Sequence, residues 1–78
     1  MSDIKVDKQV DTSGKCCPMP IVETNMAMKK VNSGEIVEII ATDPGTQTDI
    51  PAWCERTGNT LVESNEADGS IHFYVKKG

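Results

Sequence analysis

The 78-residue sequence has no long apolar run: stretches such as Ile39-Ile40-Ala41 fall far short of the roughly 20 residues that cross a bilayer. Its opening, Met1-Ser2-Asp3-Ile4-Lys5-Val6-Asp7-Lys8, is polar and alternating and lacks the apolar centre of a signal peptide. Neither a membrane anchor nor export is indicated, and the cytoplasm is the default location. Positive charge is also scarce. Eight Lys and Arg against twelve Asp and Glu leave a net charge of −4. That argues against autonomous nucleic-acid binding, which needs a concentrated positive surface; an acidic balance of this size otherwise serves solubility. There is one histidine, His72, and one tryptophan, Trp53. Repeats, low-complexity segments and linkers are absent, so residues 1–78 are read as one domain. A chain this short buries roughly 60% of its unfolded surface. It has no room for a deep enclosed active site, and its chemistry must lie near the surface.

Alternation and turn residues divide the chain into six elements. Ile4, Val6 and Val10 share a strand parity, predicting a strand over 4–10, and Asp11-Thr12-Ser13-Gly14 is a turn cluster. Ile21, Val22, Asn25, Met28 and Val31 follow helical spacing and predict a helix over 18–32, ended by Asn32-Ser33-Gly34. Residues 35–42 are rich in β-branched side chains and predict a strand. After Asp43-Pro44-Gly45 a second helix is expected over 46–57, with Pro51 forcing either a restart near Asp49 or a kink. Asp43 and Asp49 read as helix caps. Two strands, 60–66 and 70–77, join across Asp68-Gly69, a hairpin signal. The order β-α-β-α-β-β predicts an α+β two-layer sandwich: a mixed four-stranded sheet with both helices on one face.

The chemistry concentrates where the first helix begins. Cys17 precedes Pro18-Met19-Pro20. Pro18 stands at the first helical position, where a missing N–H costs nothing, and Pro20 is still within the first turn. The N–H groups of Met19 and Ile21 are then left for the sulfur. A thiol near pKa 8.5 is only about 3% ionised at pH 7. A helix start supplies on the order of 0.3–1 kcal/mol, and up to about 2 when partly buried, which lowers the pKa by up to about one and a half. The thiolate share then rises to several tens of per cent, and the ammonium of Lys15 would add to it.

Several uses of that nucleophile are disfavoured. A thiol protease needs a base beside the cysteine, and nothing brings His72 to Cys17. A thioredoxin-like enzyme needs a resolving cysteine three positions on, where this chain has Pro20. One activated thiol with no built-in partner suits a carrier, which accepts a group and yields it to another protein's thiol.

Asp11-Thr12-Ser13-Gly14 leading into Cys17-Pro18-Met19-Pro20, then Gly34-Glu35, Asp43-Pro44-Gly45, Asp49-Ile50 and the closing strands, closely resembles the TusA/SirA-like family of small sulfur carriers. The resemblance runs from about residue 8 to 77. It implies the two-layer sandwich, and it implies that Cys17 holds sulfane sulfur as a covalent persulfide with no other cofactor. The sulfur would come from a cysteine desulfurase or a rhodanese-like protein and pass to an acceptor protein, in tRNA thiolation, sulfur oxidation or thiosulfate metabolism. No nucleic acid or membrane partner is expected, and the free carrier is expected to be monomeric. Lys15 stands where relatives are usually apolar.

The remaining candidates have plainer readings. A bond between the adjacent Cys16 and Cys17 would be strained, and Cys54 reads as a small packed residue. Paired ligands at zinc spacing are missing, so no metal is expected. His72 reads as an exposed strand residue, Met26 and Met28 as helix packing, Trp53 as core before partner anchor. Met19 is a candidate partner-facing residue. Asp11 either steers the loop before the thiol or caps the turn. Two other functions stay open: a non-catalytic interaction module in which the proline turn is only a rigid cap, and a small thiol redox protein with a reversible disulfide from Cys17 to Cys16 or Cys54.

Overall fold

The computed structural model describes residues 5–14 and 19–78. The elements run β1 (Lys8–Asp11), α1 (Met19–Met28), β2 (Ile36–Ala41), α2 (Thr46–Thr57), β3 (Thr60–Ala67) and β4 (Ser70–Lys76). The strands form one sheet in the order β1-β2-β4-β3. β1 and β2 are parallel, and the other pairs are antiparallel. This is the mixed four-stranded sheet and the β-α-β-α-β-β order that the sequence predicts.

Parity decides the two faces of the sheet, because successive strand side chains point oppositely. Val10, Val37, Ile39, Ala41, Ile71, Phe73 and Val75 form one face and join Ala27, Met28, Val31, Ile50, Trp53 and Cys54 of the helical layer in a single buried cluster. Trp53 is therefore core. Asp68 and Gly69 both take positive φ, 52° and 80°, which gives the hairpin the twist its strands require. Between Leu61 and Glu63 the register shifts, leaving Val62 bulged and exposed on edge strand β3.

Several expectations need correction. β1 begins at Lys8 and takes in Asp11, so residues 5–7 are not strand, while residue 4 of the expected strand lies outside the described residues. At Asp7 the backbone N–H still donates to Ile36 O, but the return bond from Ile36 N–H goes to the Asp7 carboxylate, 2.9 Å away. A side chain there replaces the main-chain ladder. α1 ends at Met28 rather than 32, where the bonds tighten to three-residue spacing, Lys30 to Ala27 and Val31 to Met28.

The buried face of α1 is Pro20, Thr24, Ala27 and Met28, not the stripe through Val22 and Asn25. Thr24 can be buried because its hydroxyl donates to Pro20 O at 2.7 Å. Met26, expected in the core, is 57% exposed.

α2 runs unbroken through Pro51. Its first bonds have three-residue spacing (Thr46 to Asp43, Gln47 to Pro44, Thr48 to Gly45) and change to four at Asp49, so the adjustment expected as a restart is absorbed inside one helix. The residue before the helix is Gly45, with no side-chain cap. Asp43 instead accepts the Gly45 N–H, 3.0 Å away, in the approach to the helix, and Asp49 lies in the first turn. Among the described residues no helix is long and apolar enough to cross a membrane.

Candidate functional site

The two flanks of the stretch 15–18 are built from opposite ends of the β1-α1 connection. On the strand side, Thr12 is fully buried and places both its N–H and its hydroxyl on Ile40 O, each at 2.7 Å. Asp11 caps the turn: its carboxylate accepts the Ser13 N–H at 2.9 Å. Gly14 turns the chain with φ 80° and donates its N–H to Thr42 Oγ1 at 2.9 Å. On the helix side, Met19 opens α1 and is 43% exposed, while Pro20 is buried.

Of the residues singled out by sequence, Asp11, Met19 and Pro20 thus fall within the described structure. Lys15, Cys16, Cys17 and Pro18 lie outside it. Asp11 on β1 and Met19 on α1 line a groove of about 520 Å³ between the two elements, together with Val10, Val22, Met26 and Lys30. Met19, Val22 and Met26 form its exposed apolar wall. The first turn of α1 carries no acidic residue, so no carboxylate there competes with an anion for the positive helix end.

Cys54 is buried in α2, and burial pushes its thiol up to about 11. Among the described residues no group of three His, Cys, Asp or Glu could hold a metal ion.

On the opposite face of the sheet, the structure assembles a cluster that sequence reasoning missed. Glu38 Oε1 accepts from Gln9 Nε2 at 3.0 Å, and its Oε2 lies 2.9 Å from His72 Nδ1 and 3.2 Å from the Tyr74 hydroxyl. His72 is accordingly not the exposed strand residue expected; its side chain is 25% exposed and paired with that of Glu38, 13% exposed. The clue lay in parity, since Glu38, His72 and Tyr74 all alternate with core residues, but only the register of three strands makes them neighbours.

Burial pushes the Glu38 carboxyl up, yet the hydrogen bonds from Gln9, His72 and Tyr74 and the His72 charge outweigh it and hold the group below its ordinary value. Burial, followed by the Glu38 charge, raises the Tyr74 phenol. A depressed carboxylate stabilises the fold above its unfolded pKa and loses that contribution as pH falls through the native value. Glu38→Gln should therefore flatten the loss of stability between about pH 5 and pH 3 in urea titrations. Equal slopes for both proteins would show that Glu38 is not its source.

The family described as Sulfurtransferase TusA matches residues 8–77. A protein of Allochromatium vinosum named "Sulfur carrier protein TusA" is 42% identical over 71 residues, covering 91% of this chain and 93% of that one. YrkI of Bacillus subtilis is 41% identical over 75 residues, covering 96% and 100%. A relative in Aquifex aeolicus is 39% identical over 77 residues; the match takes 99% of this chain but only 39% of that longer protein. The crystal structure of the SirA-like protein from Desulfitobacterium hafniense superposes with a TM-score of 0.80 at 22% identity, over 91% of this chain and 97% of the other, and shows the same fold.

Proposed function

Because the chain belongs to the TusA sulfurtransferase family, we propose that it is a sulfur carrier, with Cys17 accepting sulfane sulfur as a persulfide and passing it on. The observation that supports this most is the start of α1. α1 is described from Met19 onward, and no carboxylate occupies its first turn. Two peptide units limit Cys17 to within about 7.6 Å of Met19, measured between Cα atoms. A sulfur anion within that reach meets free N–H groups and the positive end of the helix. Pro18, Pro20 and Asp11 stiffen the approach, and Lys15 adds positive charge.

The chemistry is thiol exchange. The Cys17 thiolate attacks the outer sulfur of a donor persulfide, R–S–SH; the donor S–S bond breaks, a Cys17–S–SH bond forms, and R–S⁻ leaves. An acceptor thiolate then repeats the attack on Cys17–S–SH, which regenerates the Cys17 thiolate and makes the acceptor persulfide. The bond broken is of the same kind as the bond made, so neither step needs an external oxidant or reductant. The donor and acceptor are thiol proteins, for which a cysteine desulfurase or rhodanese-like donor fits. The exposed wall of Met19, Val22 and Met26 begins two residues after Cys17 in the sequence and offers those partners an apolar contact.

The test is to map the sulfur. After incubation with polysulfide, or with a cysteine desulfurase and cysteine, peptide mass spectrometry should find an added mass of about 32 Da on Cys17. Cys54 should carry none, since it is buried and its thiol is raised to about 11. Equal labelling of all three cysteines would refute an activated Cys17.

A further inference from the structure

We infer that β1 and α1 together form a docking groove for an extended segment of another protein, one that joins the sheet beside β1 and carries carboxylates at one end. In the strand order β1-β2-β4-β3, β1 is an edge, with a single strand neighbour among the described residues. Alternate main-chain groups of an edge strand turn outward and are ready to pair with another chain. The opposite edge is blunted, since β3 is bulged between Leu61 and Glu63, whereas the register of Lys8–Asp11 against β2 is regular. The groove of about 520 Å³ opens onto the β1 edge. Gln9 lines it, although the Gln9 side chain is bonded to Glu38 on the far face of the sheet, so the margin of the strand itself forms one lip.

The other lip is the apolar wall of Met19, Val22 and Met26, each more than 40% exposed. From Met19 to Met26 a helix rises about 10.5 Å. In an extended segment every second side chain, about 6.6 Å apart, faces the same way, so the wall has room for two apolar side chains of an added strand. Charge sets the direction. Because β1 and β2 are parallel, α1 must return antiparallel to them, which brings Lys30 to the Lys8 end of the groove and Met19 to the Asp11 end. Lys8 shares the parity of the buried Val10 and so faces the helical layer, and Lys30 lines the same groove. Two ammonium groups stand at one end and the Asp11 carboxylate at the other, so the acidic end of the segment belongs at Lys8 and Lys30. A second copy of this chain fits poorly. Its β1 offers only Lys8 and the buried Val10 on the groove-facing side, which would leave the apolar wall uncovered. The surface is built from residues outside the thiol stretch and needs no sulfur chemistry.

The probe is a short fluorescein-labelled peptide of alternating valine and threonine, made with glutamates at its amino or at its carboxyl end to cover both strand directions. Fluorescence anisotropy should show saturable binding of one version, and amide hydrogen exchange read by NMR should slow in Lys8–Asp11 but not in Thr60–Ala67. Met26→Asp, and Lys8→Glu combined with Lys30→Glu, should each weaken binding by about tenfold or more. Their thermal midpoints should stay nearly unchanged, since none of these side chains is buried. Exchanging the glutamates of the peptide for lysines should weaken binding as much. Failure of both versions to bind, protection at β3 in place of β1, or equal affinity for the lysine-ended peptide would overturn the proposal. So would protection of β1 that rises with protein concentration when no peptide is present, which would assign the edge to a second copy. The outcome is separate from the carrier reading: binding can fail while polysulfide still loads Cys17, and can succeed where it does not.

Discussion

Cys17→Ser is expected to leave the protein folded and to abolish sulfur uptake. Serine has nearly the same volume, and at pH 7 its hydroxyl is not ionised, so the helix end has no sulfur anion to stabilise and the exchange has no nucleophile. Cys54 cannot take over. It is 3% exposed, and burial raises its thiol to about 11, which leaves about one molecule in 10⁴ ionised at pH 7. Intact-mass measurement after treatment with polysulfide reads the loss directly, and an unchanged thermal midpoint separates it from unfolding. Uptake close to that of the wild type would remove Cys17 from the mechanism. Persistence of the added mass on Cys16 would assign the chemistry to its neighbour. The same variant divides the carrier from the interaction module, which would keep full function without a thiol at position 17.

The largest loss of stability is expected from Phe73→Ala. Phe73 is 2% exposed at the centre of β4, opposite Ile39 of β2 in the buried face of the sheet. Removing a buried phenyl ring costs about 3–5 kcal/mol through lost transfer energy and the cavity left behind, against a total of about 5–15 kcal/mol for a small domain. For a chain of this length each kcal/mol lowers the melting temperature by about 4–8 °C, so a fall of more than about 12 °C should appear in a thermal scan. Urea titration should show a lower midpoint with the slope retained. A loss below about 1 kcal/mol would mean that the core is not packed around this ring. Unlike Cys17→Ser, the molecules that remain folded should still take up sulfur, because Phe73 belongs to the buried face of the sheet and not to the thiol stretch.

Much of the framework was legible in the residues because its causes are local. The Asp68-Gly69 pair demands positive φ at both positions and marks its hairpin without help from the rest of the chain. Alternation in Ile71, Phe73 and Val75 against His72 and Tyr74 sorts the two faces of β4, since neighbouring strand side chains must point oppositely. Of the motif at residues 17–20, Met19 and Pro20 fall in α1, while Cys17 and Pro18 lie outside the described residues.

α1 was harder. Met19, Pro20, Ile21, Val22, Met26, Ala27 and Met28 make it apolar nearly all round, so periodicity alone selects no face. The polar Thr24 looks unlike a core residue until its hydroxyl is seen bonded to Pro20 O.

The sequence by itself determined the order of elements, the hairpin and the parity of the strands, because each depends on interactions within a few residues. Only the tertiary structure decided which side of α1 faces the sheet, that Glu38 gathers Gln9, His72 and Tyr74, and that Thr42 reaches Gly14. Those pairings join residues 28 to 36 positions apart. They exist because β2 lies between β1 and β4, a register set by burying one continuous apolar face and not by any local preference of the residues that meet.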